Sequence, residues 1–153
     1  MRGAESYRAR VIVNDRVDLA KMSGAAGVHV GQDDLAPAAA RALLGEDAIV
    51  GYSTHTVSQI EAALTQPISY VAVGPVFGTA TKDTGYSAVG LELVRSAAAL
   101  AGGLPVVAIG GITLETAPAV LEAGASCVAV IGDLLAGGDP RGRIAAYART
   151  LGL

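Results

Sequence analysis

The feature that most constrains this chain is an alternation of two kinds of segment. Short runs rich in valine and isoleucine recur at residues 10–14, 27–30, 48–52, 69–74, 105–109 and 126–131. Between them lie alanine- and leucine-rich stretches with helical spacing at 17–22, 36–44, 57–64, 91–100 and 114–122. Runs of that length and composition suit strands covered on both faces. Gly24, Gly45 and Gly124 each follow a helical stretch, where a left-handed residue ends a helix most readily. Asp139-Pro140 opens a final helix over 141–150, with proline in the first turn. Two joints echo one another: SGAAGVHVG (23–31) and EAGASCVAVIG (122–132) both run from glycine-alanine into a buried strand and out through glycine. Alternating strands and helices predict a parallel sheet with right-handed crossovers, either open and doubly wound or closed into a barrel. No linker or charge run divides the chain, so residues 1–153 read as one domain.

Composition narrows the function. The chain is 52% hydrophobic and 16% charged, which excludes a disordered protein. A net charge of −3 offers no basic excess for a nucleic-acid backbone. One cysteine excludes a disulfide framework or a cysteine-rich zinc site and fits a reducing cytoplasm. Residues 1–10 show no signal peptide, and no apolar stretch reaches the roughly 18 residues a membrane helix needs.

Polar residues gather after the strands, where parallel α/β folds do their chemistry. Asn14, Asp15 and Arg16 follow the first run; Gln32, Asp33 and Asp34 the second; Ser53, Thr54 and His55 the third. Asp15 and Asp34 are oxygen donors suited to Mg2+. The competing reading makes each a helix cap, and Asp33 and Asp34, being adjacent, cannot both point inward. The loop 78–83 (GTATKD) supplies the hydroxyls of Thr79 and Thr81 and the ammonium of Lys82, the parts that hold a diphosphate; the alternative is an exposed polar loop. Gly110, Gly111 and Gly132 end the last two strands, a place where backbone N–H groups commonly cradle phosphate. Ser53 and His55 face the same way in an extended segment, but no orienting acid accompanies them. Ser53 therefore reads as a ligand contact, and His55 as a minority candidate for a general base. His29, between two valines, reads as a satisfied interior histidine, and Cys127 as a small core residue.

IVNDRVDLA (12–20), GVHVGQDDL (27–35), GYSTHT (51–56), VGPVFGTATK (73–82) and VVAIGGIT (106–113) together resemble thiamine phosphate synthase. The resemblance runs from about Val11 to the last helix. It implies a TIM-type (β/α) barrel that joins hydroxymethylpyrimidine diphosphate to thiazole phosphate and releases pyrophosphate. In that reading Asp15 and Asp34 bind Mg2+, with Asn14 and Ser53 near the diphosphate. Lys82 also holds the diphosphate, Thr79 and Thr81 line the thiazole phosphate side, and Gly111, Ile131 and Gly132 form its cradle. Lys82 and Ser53 are the catalytic candidates. The partners are small molecules, with no nucleic acid and no membrane.

Two departures accompany the resemblance. Only six of eight strand–helix units are visible, so the expected barrel is incomplete and two N-terminal units are missing. A late start or a truncated chain is the expectation, with a dimer that completes the barrel in trans as the alternative. Gly132 stands where family members often have serine. The resemblance also leaves two rivals: a thiazole tautomerase using His55 as acid–base, and a non-catalytic phosphate-binding fragment.

Overall fold

Residue 4 and residues 9–78 and 85–152 are described by a computed structural model of the protein. Six strands appear in the expected places: β1 (Ile12–Asn14), β2 (Gly27–Val30), β3 (Ile49–Thr54), β4 (Tyr70–Val73), β5 (Val106–Ile109) and β6 (Cys127–Ala129). They form one sheet in sequential order, and every neighbouring pair is parallel. The sheet curls into part of a TIM-like barrel with the helices outside. Among the described residues β1 and β6 are the edges of this sheet.

The helices are α1 (Val17–Ser23), α2 (Pro37–Leu44), α3 (Val57–Ala63), α4 (Gly90–Leu100), α5 (Ala117–Glu122), α6 (Gly132–Leu135) and α7 (Pro140–Leu151). Proline in the first turn of α2, α5 and α7 supplies a pre-set φ where no donor is missed. Thr56 caps α3 by accepting from the Gln59 N–H, while the Gln59 side chain accepts from the His55 N–H. That exchange satisfies two donors that a helix start would otherwise leave bare. Gly24 ends α1 in the left-handed conformation, φ 65°, as its position predicted.

Side chains alternate between two faces of the sheet. Val28, Val30, Val50, Val71 and Val73 are fully buried on the convex face under the helices. One cluster joins Val28, Val30 and Val50 to Val17, Ala20 and Ala40; the larger joins Val71 and Val73 to Ile60, Val94, Val120 and Tyr147. His29, Ser53, Tyr70, Val107 and Ile109 alternate with these residues and are only half-buried on the concave face.

This corrects the expectation of strands covered on both faces: helices cover one face only. Cys127 is likewise corrected. It is exposed rather than a core residue, because it lies on the edge strand β6. Its burial is still enough to raise the thiol above its ordinary pKa. α5 begins at Ala117 instead of residue 114, because Thr113 and Thr116 first close a turn through the Thr116 hydroxyl. The one-turn α6 was not anticipated.

Opposite the mouth, Arg41 gathers the amino-end loops. Its guanidinium donates to the carbonyls of Pro67, Glu46 and Ala48 and, at 3.1 Å, to the Ser69 hydroxyl. Ser69 in turn accepts the Val50 N–H at 3.0 Å, which fastens β3 to the start of β4.

Candidate active site at the carboxyl ends of the strands

At the end of β1 the chain makes a three-residue turn in which the Arg16 N–H bonds the Asn14 carbonyl at 2.7 Å. Asp15, at its centre, has φ 63°, and no other described non-glycine residue has positive φ. Held strain of this kind concentrates at functional sites. The Asp15 N–H bonds the His29 carbonyl at 2.8 Å, which locks the turn to β2. Arg16 pairs with Asp18 at 2.5 Å, in an exposed ion pair that holds the Asp18 carboxyl down to about 2. Asp15 also borders an open recess of ≈ 370 Å³ whose other walls include Lys21 of α1 and Leu43 of α2. This recess lies in the outer helical layer and includes neither His29 nor Ser53.

Asp34 does not cap a helix. The N-cap residues of α1 and α2 are Arg16 and Ala36, and neither makes a side-chain cap. Asp34 instead accepts the Gly31 N–H through Oδ2 at 2.7 Å, closing the loop after β2, and both Asp33 and Asp34 are exposed. Helix capping, the structural alternative to a ligand role, therefore fails for Asp34.

β3 runs through Thr54, so Ser53 is a strand residue facing the concave side rather than the start of a loop. Its partner is not His55. His29 Nε2 lies 2.8 Å from Ser53 Oγ, and His29 Nδ1 lies 2.9 Å from the Tyr70 hydroxyl. Gln32 Nε2 donates to the Ser53 carbonyl at 2.6 Å. Gly51 makes room for this group: a Cβ there would sit 2.0 Å from the Tyr70 ring and 2.6 Å from His29 Nδ1. Burial pushes the Tyr70 hydroxyl up to about 12, so it keeps its proton at neutral pH. His29 is satisfied, as expected, although it lies on the half-open face. His55 donates from Nδ1 to the Gly74 carbonyl at 2.5 Å and stacks on Tyr86 with ring centroids 3.6 Å apart.

Beyond β4 and β5 the pairing continues into the mouth. The Val76 and Phe77 N–H groups bond the carbonyls of Ile109 and Gly110 at 2.9 and 3.0 Å. The Gly74–Pro75 peptide is cis. Gly111, φ 63°, lies directly beneath this segment, and a Cβ there would stand 2.5 Å from the Gly78 carbonyl oxygen. The Val89 and Gly90 N–H groups return to the carbonyls of Pro75 and Val76, so both ends of the long loop meet at the mouth. Thr79, Thr81 and Lys82 lie outside the described residues. Ile131 and Gly132 open α6 at the end of β6, and both are exposed.

The structure thus joins the side chains of His29, Ser53 and Tyr70, ties the Asp15 backbone to β2, and sets Gly111 against the loop after β4. Sequence reasoning missed Tyr70 as a site residue. Among the described residues no group of three His, Cys, Asp or Glu side chains is placed to hold a metal ion.

The family model described as thiamine monophosphate synthase matches residues 2–134. The thiamine-phosphate synthase of Caldicellulosiruptor saccharolyticus is 45% identical over 88% of this chain and 61% of its own length. That of Azorhizobium caulinodans is 46% identical over 92% of this chain and 64% of its own. This chain therefore spans less than two-thirds of the length of these curated relatives. A thiamine phosphate pyrophosphorylase structure from Pyrococcus furiosus superposes with a TM-score of 0.89 and 29% identity, covering 99% of this chain and 71% of that one.

Proposed function

Because this chain belongs to the thiamine monophosphate synthase family, we propose that its mouth joins hydroxymethylpyrimidine diphosphate to thiazole phosphate and releases pyrophosphate. The observation that carries this reading is the polar strip across β1, β2 and β3. In it a positive-φ aspartate is locked to the strand whose histidine holds Ser53. In the reaction the bond between the pyrimidine methylene carbon and its oxygen breaks, and the electron pair leaves with pyrophosphate. The thiazole nitrogen then gives its pair to that carbon. No protein nucleophile is required; the protein's task is to hold charge where it develops.

Ser53 and Lys82 act on the departing diphosphate, with Asn14 beside them. Thr79 and Thr81 line the thiazole phosphate side, and the backbone N–H groups of Gly111, Ile131 and Gly132 cradle that phosphate. Asp15 and Asp34 follow β1 and β2 and fit Mg2+ as hard oxygen donors. Bound there, the ion would neutralise negative charge on the leaving group. The reading takes residues 1–153 as a single partial barrel domain of a cytoplasmic enzyme acting on small molecules, with homo-oligomerisation left to measurement. No described helix is long and apolar enough to cross a membrane.

The test is to mix the full chain with both substrates and Mg2+ and to measure thiamine phosphate. Product that disappears in an Asp15→Asn, Asp34→Asn variant is expected. Thiazole phosphate binding without product would replace the reading with a non-catalytic phosphate-binding chain.

A further inference from the structure

Asp133, next to Gly132, carries the most connected carboxylate described in the protein. Its side chain is 11% exposed and accepts four hydrogen bonds. Arg143 supplies two, from Nε at 3.0 Å and Nη2 at 2.8 Å. The Tyr147 hydroxyl donates at 2.6 Å, and the Leu114 N–H at 3.1 Å. These donors come from separate places, with Arg143 and Tyr147 one turn apart on α7 and Leu114 in the loop after β5. A carboxylate so fully used is closed to a metal and to proton transfer. What remains is mechanical: one side chain fastens the loop after β5, α6 and α7 to one another.

Resting on the reading given under Proposed function, we propose that Asp133 is a positioning residue for the phosphomonoester substrate. It sets the loop that carries Gly111 against the turn that carries Ile131 and Gly132. Gly110 and Gly111 both have positive φ, 97° and 63°, so their own backbone preferences do little to fix the direction of that loop. Ile112 anchors it in the core, the Thr113–Thr116 turn shapes its far end, and the Leu114–Asp133 bond ties it to the next loop. Arg143 has a second task. An unneutralised carboxylate one residue from a phosphate cradle would repel the ligand, and the guanidinium fork cancels that charge. Arg143 also reaches Glu115 at 3.3 Å, which ties the same loop to α7 a second time.

The experiment titrates the full chain calorimetrically with thiazole phosphate and, separately, with the pyrimidine diphosphate plus Mg2+. In Asp133→Asn, thiazole phosphate should bind about 10-fold more weakly, since small misplacements of binding groups are costly. Diphosphate affinity should stay unchanged. Tyr147→Phe, which removes one of the four bonds, should give a smaller loss in the same direction. Amide exchange at Leu114 should accelerate in Asp133→Asn while exchange in the β3 and β4 cores does not. A wild-type chain that binds both ligands, with thiazole phosphate affinity intact in Asp133→Asn or with both affinities falling equally, overturns the positioning role alone. Unchanged Leu114 exchange overturns the clamp itself. A wild-type chain that binds neither ligand overturns the functional reading and the positioning role with it.

Discussion

The two faces of the sheet use the same strands for opposite ends. On the convex face, Val28, Val30, Val50, Val71 and Val73 are sealed under helices. On the concave face, the intervening positions include Ser53, His29 and Tyr70, half-open and joined by hydrogen bonds, with Gly51 buried among them. The convex face is stabilised by apolar area removed from water, which depends little on direction. The concave group depends on distances of 2.8 and 2.9 Å and on which atom carries each proton. A β-strand can serve both because its side chains alternate, so stability and chemistry sit one residue apart.

The largest expected effect tests the sealed side. Ile60→Ala, at a fully buried position, should cost about 2–5 kcal/mol in urea denaturation. Val107→Ala, on the half-open face, should cost about 1 kcal/mol or less by the smaller area it buries. Equal losses would break the comparison. The Asp15→Asn, Asp34→Asn variant should reverse the pattern: synthesis, if present in the wild type, falls on the order of 100-fold, while the melting temperature barely moves. Unfolding of that variant would instead make the turn at Asp15 a structural device.

Gly51→Ala is a finer probe. The new methyl meets the far end of Tyr70, so the ring should swing away and leave His29. Overpacking of this kind costs about 1–3 kcal/mol. Spectrophotometric titration should show a tyrosine that ionises at about 12 in the wild type return toward the ordinary value of about 10. A titration identical to wild type would mean that the face is looser than its hydrogen bonds imply.

The smallest effect concerns pH. Arg143 above all, then Tyr147 and the Leu114 N–H, hold the Asp133 carboxyl below its usual range. A lowered carboxylate contributes stability above its unfolded pKa and loses it as pH falls through the folded one. The melting difference between wild type and Asp133→Asn should therefore be complete at pH 7 and shrink below about pH 4. A difference that grows in acid would contradict the ion pair.

All six strands were legible in the sequence, because valine-rich runs between glycines leave few alternatives. The two-sided character was legible too, had the pattern been taken one residue at a time. Val28-His29-Val30 already alternates sealed and open positions. Pairing His29 with Ser53 and Tyr70 was not legible, since it depends on the register that sets Gly51 opposite Tyr70. Along the chain the histidine nearest Ser53 is His55, a pair without an orienting acid in the sequence, and the fold brings His29 to Ser53 instead. The Asp133 clamp left one trace: Arg143 and Tyr147 are four apart, on one face of the last helix.

Arg41 has a consequence for how such a molecule can change over evolutionary time. Its bonds to amino-end carbonyls and to Ser69 hold the seam between β3 and β4 at the end remote from the mouth. Loops at the carboxyl end can then be rewritten without loosening that seam. Changes in the mouth remove none of these bonds, whereas loss of Arg41 removes its donations to Pro67, Glu46, Ala48 and Ser69 together.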